Sequence, residues 1–143
     1  MSLQLSTIVR NAALDAIQYG ANTGQTTGIG ASAKMMFFTG AVPANCAAAN
    51  TGTKLAEFDL ASNWMANAAS GAKSLSSTPL SAAAIAAGTL GYFRAFASDG
   101  VTCHVQGIVT ATGGGGDLTV DNTVVANGQT INITGFGINA PGA

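Results

Sequence analysis

Apolar residues recur with a helical period only once in this chain. Ile8, Val9, Ala12, Ala13, Ala16 and Ile17 fall on one stripe at i, i+4, i+8 spacing, which predicts an amphipathic helix over 7–19. Ser6 or Thr7 supplies its N-cap and Gly20 its stop. Leu3 and Leu5, ahead of it, alternate with polar residues as a short extended arm does. Beyond Gly20 the period shortens to that of strands. The apolar run within Lys34–Thr39 has strand length. Leu55–Leu60 alternates, with Leu55, Glu57 and Asp59 on one side and Ala56, Phe58 and Leu60 on the other. Gly91–Ala97 sets Tyr92, Arg94 and Phe96 against Phe93, Ala95 and Ala97. Ala72–Leu75 and Ala82–Ala87 are weaker strand segments, the second equally compatible with two turns of helix between Pro79 and Gly88.

Turn chemistry divides these runs. Residues 20–33 and 40–53 read as long loops. Asp99-Gly100 is a type I′ hairpin signal joining Gly91–Ala97 to Val101–Val109. Thr112–Gly116 is a glycine-rich break before the short strand Leu118–Val120. Asn127-Gly128 is a second two-residue turn signal, joining Thr123–Val125 to Gln129–Phe136, with Ile131, Ile133 and Phe136 facing inward. Seven or eight short strands behind one helix predict an all-β chain, a jelly-roll-like antiparallel β-sandwich with a short N-terminal helix. The expected organisation is a single domain over 1–143, with arm and helix in 1–19 and the sandwich in 34–138.

Composition narrows the function classes. Only 8% of the 143 residues are charged and the net charge is −1, against about 25% charged residues in a typical domain. Five scattered Lys and Arg make no large basic patch of the kind nucleic acid requires, and no run approaches the roughly 20 apolar residues of a membrane helix. Nucleic-acid and membrane partners are therefore not expected. The N-terminus lacks a basic segment followed by an apolar one, so synthesis in the cytoplasm is expected. In that compartment Cys46 and Cys103 read as two free thiols, the alternative being a disulfide or redox pair. A surface built from Ser, Thr and Asn also lowers the electrostatic barrier to packing against other proteins.

No catalytic constellation emerges. His104 is the single histidine, and its neighbour Cys103 points to the opposite face of a strand unless a bulge intervenes. Glu57 and Asp59 share a strand face but read as its solvated side. Asp117, Asp121 and Asn122 fall short of the oxygens a hard cation needs. The segment Gly28–Lys34 is followed by Met35 where a phosphate loop carries Ser or Thr, and Ser70-Gly-Ala-Lys73 lacks the companion motifs of penicillin-recognising enzymes. No enzyme activity, cofactor or metal is expected.

The residues nevertheless carry a resemblance along nearly the whole chain. It rests on Leu3–Ile17, Val42-Pro-Ala-Asn-Cys-Ala-Ala-Ala49, Leu55-Ala-Glu-Phe58, Gly91-Tyr-Phe-Arg94, the Cys103-His104 strand and Gly116-Asp-Leu-Thr-Val-Asp-Asn-Thr123. These segments resemble a family of small structural proteins of tailed phages and prophages, similar in size and style to the jelly-roll capsid cement proteins of short-tailed Bordetella-type phages. The resemblance implies a virion component without enzymatic activity. The expected role is a capsid cement or decoration protein on the head surface, which binds the major capsid protein and self-associates as a dimer or trimer. A tail-tip or receptor-binding module is the alternative. Leu3, Leu5, Ile8, Arg10, Thr26, Ile29, Asn45 and Trp64 are the candidate protein–protein contacts, and an edge strand is a further candidate for pairing with a neighbour.

Overall fold

The structure, a computed structural model, describes residues 3–18, 28–76 and 80–142. Its elements run α1 (Thr7–Gln18), β1 (Lys34–Phe38), β2 (Lys54–Asp59), β3 (Ala72–Ser74), β4 (Leu80–Ala83), β5 (Gly88–Thr89), β6 (Tyr92–Phe96), β7 (Cys103–Ala111), β8 (Leu118–Val120), β9 (Val124–Val125) and β10 (Thr130–Asn139). The fold is all-β behind one short helix. Most strands belong to a single curled sheet in the order β2-β1-β6-β7-β8-β10-β3, with β4 also on β10, and β5 pairs β9 separately. Ile85 N–H donates to the Leu55 carbonyl at 2.8 Å, so the chain leaving β4 reaches β2 and draws the two ends of the sheet together. On the other flank, segment 64–66 lies along β3, with Ala66 N–H bonded to Ser74 O and Ser76 N–H to Trp64 O, each at 2.9 Å. Each end of the sheet order thus meets a neighbouring segment, β2 at Leu55 and β3 along 64–66.

The sheet encloses one apolar core. Met35, Phe37, Leu55, Phe58, Phe93, Leu118, Val120, Ile131 and Ile133 are all buried in it. The predicted inward residues Ile131, Ile133 and Phe136 sit there as expected. Leu55 joins them against its predicted side. A bulge in the β1–β2 ladder steps the register from Phe37↔Ala56 to Phe38↔Lys54, and the unpaired Leu55 turns inward. A second, smaller cluster forms on the outer face, where Met36, Phe38, Tyr92 and Phe96 are covered by Val42 and Cys103. The alternation read in β6 is therefore real, but both of its faces are buried.

Three connections differ from their sequence reading. Asp99-Gly100 is not a type I′ turn: only Gly100 has positive φ, at 67°, and Gly100 N–H closes on the Ala97 carbonyl at 3.0 Å. Asp99 selects this longer loop by accepting from the N–H groups of Val101 and Thr102 and from the Thr102 hydroxyl. Those bonds, the Thr102 hydroxyl first, hold its carboxyl at about 2. Asn127-Gly128 does not join two paired strands, because β9 pairs β5 while Thr130–Ile133 of β10 pairs β4. Ala82–Ala87 is neither wholly strand nor helix. It leaves β10 at Ala84, whose N–H still bonds Gln129 O, and crosses to β2.

The antiparallel expectation has one exception. β7 and β8 are parallel, with Val109↔Leu118 and Ala111↔Val120, although only residues 112–117 join them. Parallel neighbours ordinarily need a dozen or more linking residues. Here Gly113 and Gly115, at φ of 86° and 77°, turn the chain back within the plane of the sheet. Gly91 serves a different purpose. A Cβ there would stand 2.0 Å from the Gly40 carbonyl oxygen, so Gly91→Ala is expected to cost about 1–3 kcal/mol, checked by thermal unfolding.

Candidate functional site

Ser6 caps α1, accepting the Val9 N–H on its hydroxyl at 3.3 Å and the Arg10 N–H on its carbonyl at 3.0 Å. The arm before it is tied to the C-terminal segment by Leu5 N–H to Gly142 O at 2.9 Å. What the helix then buries is, apart from Ile17, not the stripe that the sequence marks. Leu14 is buried and Ile17 packs on the core, but the remaining inward positions are polar. Asn11 Oδ1 accepts the Gly71 N–H at 2.8 Å. Asp15 Oδ1 accepts the Ala68 N–H at 2.9 Å and Lys73 Nζ at 2.6 Å. Lys73 itself is buried in β3 and gives a second hydrogen bond to the Ala66 carbonyl at 2.8 Å. Burial opposes ionisation of Asp15, yet the Lys73 and Ala68 hydrogen bonds outweigh it and hold the carboxyl below its ordinary 3.8. Arg10 is half-buried, its guanidinium lying across Gly71, where any Cβ would collide with it.

Of the stripe that the sequence marks as apolar, all but Ile17 is left outside. Ile8 is 82% exposed and Val9 50%, and Ala12, Ala13 and Ala16 are exposed beside them. Leu3, at 83%, extends the surface into the arm, and Leu5 is borderline. The result is a contiguous uncharged patch on a helix whose polar side is anchored. Ile85, Val101, Ile108 and Val124 are exposed elsewhere, on loops and strands remote from α1 in sequence.

Most charged groups of the described residues are turned to internal use. Lys34 bridges Glu57 and Asp59 at 2.9 and 2.7 Å, and Lys54 reaches the second Glu57 oxygen at 2.8 Å. These bonds raise Lys34 and lower Glu57 from their usual ranges. The pair read as a solvated acidic face is thus a compact ionic cluster with its own counter-charges. Asp117 accepts the Ile108 N–H, and Asp121 clamps Asn122 and Asn132. Among the described residues, no three metal-ligating side chains gather at one point.

The other candidate contacts divide plainly. Leu3, Leu5 and Ile8 lie on the patch. Trp64 and Ile29 do not: each is 2% exposed, Trp64 stacking on Phe136 with ring centroids 6.2 Å apart. An aromatic at the end of a strand reads equally well as anchor or as core, and here the curled sheet closes over it. Asn45 is exposed, but its side chain accepts the N–H groups of Ala47 and Ala48 and shapes its own loop. Thr26 lies outside the described residues. His104 is exposed on a bulge of β7, where the register steps from Ala95↔Val105 to Phe96↔Cys103. No protein-family model, curated protein or solved structure matches the chain.

Proposed function

We propose that this protein is a virion structural subunit, a cement or decoration protein that binds the outer surface of a tailed-phage head and stabilises contacts between major capsid subunits. The observation that carries the reading is the outward apolar face of arm and helix, Leu3, Ile8, Val9, Ala12, Ala13 and Ala16, held by a polar inward face. A soluble protein ordinarily turns such a stripe to its own core, and a contiguous exposed one marks a surface that another protein covers. The near absence of free surface charge supports the same reading, because each ionised group in a buried contact carries a desolvation cost. A jelly-roll-like brick repeated at every lattice position multiplies a modest contact, and self-association in dimers or trimers adds to the avidity.

The test is a double substitution on the exposed stripe. Ile8→Asp with Ala12→Asp touches no internal contact, so thermal stability is expected to stay within about 0.5 kcal/mol. Retention on purified, expanded heads is expected to fall at least tenfold, and heads lacking the protein to rupture at lower temperature. Equal retention of the variant overturns the reading. A count of only a few copies per purified particle, by quantitative mass spectrometry, assigns the chain to the tail instead.

A further inference from the structure

The loop between β1 and β2 brings the chain's two thiols together. Cys46 follows Asn45, whose carbonyl accepts Arg94 Nη2 at 2.8 Å, and precedes Ala48, whose carbonyl accepts Arg94 Nη1 at 2.8 Å. Gln106 Nε2 pins the same loop from β7, donating to the Pro43 carbonyl at 2.6 Å. Cys103, three residues before Gln106, sits opposite Phe96 in the β6–β7 ladder and packs on the outer cluster that this loop covers. The loop is thus fastened on both sides of Cys46, directly over the strand end that carries Cys103. Val42 of the same loop packs with Cys103 on that cluster, and Cys46 is among the groups that act on the Cys103 thiol. Both cysteines are half-buried and neither is bridged.

We propose that Cys46 and Cys103 form an oxidation site, a pair that closes into a disulfide and staples the loop over residues 39–53 to β7. With a small-molecule disulfide such as oxidised glutathione as the oxidant, the Cys46 thiolate attacks one sulfur of the oxidant. The oxidant's S–S bond breaks and one glutathione leaves as a thiolate. Cys103 then attacks the Cys46 sulfur of the mixed disulfide, gives its proton to solvent and expels the second glutathione. Two protein thiols are oxidised and one glutathione disulfide is reduced to two thiols. Cys103 is placed second because its thiol resists ionisation. Cys103 is pushed up to about 12, first by burial and next by its hydrogen bond with Cys46, so it remains a thiol until the mixed disulfide is beside it. The site goes beyond the cement reading and does not depend on it. Joined to that reading, it means the pair stays open in a reducing cytoplasm and closes in the oxidising medium outside a lysed host.

The experiment uses the purified full-length chain, first reduced and then incubated with oxidised glutathione. Intact mass after alkylation under denaturing conditions is expected to fall by about 2 Da relative to the unmodified chain, the two hydrogens lost, with no thiol left to alkylate. The thermal midpoint is expected to rise by about 10 °C, the shift anticipated for closing so long a loop in a domain of this size. Cys103→Ser is expected to take one glutathione adduct without that rise, and Cys46→Ser to show no rise. Two thiols still alkylatable after oxidation, cross-linked dimers in place of the internal bond, closure without a rise in midpoint, or a rise in either single variant would each overturn the proposal.

Discussion

Replacing Arg94 with methionine is expected to lower the thermal midpoint by about 10 °C and to open the segment 40–53 to proteolysis. Arg94 is 2% exposed, yet its guanidinium leaves the sheet on the outer face and meets four acceptors there. Nη1 donates to the Ala48 carbonyl and the Asn50 amide oxygen, Nη2 to the Asn45 carbonyl and Gln106 Oε1, and Nε to Gln106 Oε1 again, all between 2.8 and 3.1 Å. Gln106 and Tyr92 hold the loop at Pro43 and Thr51, and Arg94 holds its middle. Methionine keeps the volume and removes every donor, leaving two backbone carbonyls under the loop without their partner. Each buried acceptor left without its donor costs about 1–3 kcal/mol. Arg94→Lys is expected to rescue little, because an ammonium cannot span acceptors arranged for a planar fork. Calorimetry and limited proteolysis together check the result. A midpoint unchanged within about 1 °C would show that the loop is held without Arg94.

The second large effect falls on the helix. Asp15→Ala leaves the Lys73 ammonium buried with only the Ala66 carbonyl beside it, a loss of about 3 kcal/mol. Since α1 packs on β3 through this pair, the loss appears as undocking. Detached, a helix of 12 residues is too short to persist in water, so far-UV circular dichroism should lose helical signal while the sheet remains. Replacing both partners with apolar residues of similar size, Asp15→Leu with Lys73→Met, is expected to restore much of the docking. The pH dependence has a definite sign. The folded-state pKa of Asp15 lies below its ordinary 3.8, so the stabilisation is complete above that value and disappears as pH falls through the lower, folded pKa. Helix signal lost between pH 6 and 4, well above that window, would contradict the assignment.

Local pattern made much of this architecture readable. The Ser6 cap, the body of α1, β1, β2, β6 and the inward set Ile131, Ile133 and Phe136 all follow from period and capping chemistry, which act over a few residues. What stayed hidden depends on partners distant in the chain. Asp99-Gly100 and Asn127-Gly128 are genuine turn signals, but neither dipeptide reveals that Asp99 will cap a longer loop or that β10 will pair β4 in place of β9. The orientation of α1 was hidden for the same reason. A stripe of Ile8, Val9 and alanines announces an apolar face without saying which way it points, and it is Lys73, 58 residues from Asp15, together with Ala68 and Gly71, that turns the polar side inward. The proximity of Cys46 and Cys103 is set by Arg94 and Gln106 across a similar span, and no spacing rule reports it.

The closure of the sheet carries a consequence for the isolated chain. Exposed strand margins are templates for cross-β stacking, and the hazard grows with concentration. In this molecule Ile85 takes up the Leu55 carbonyl of β2 and residues 64–66 lie along β3, so each end of the sheet order offers less open backbone for such stacking. With so little charge to keep copies of the chain apart, these covered strand margins act where electrostatic repulsion is weak.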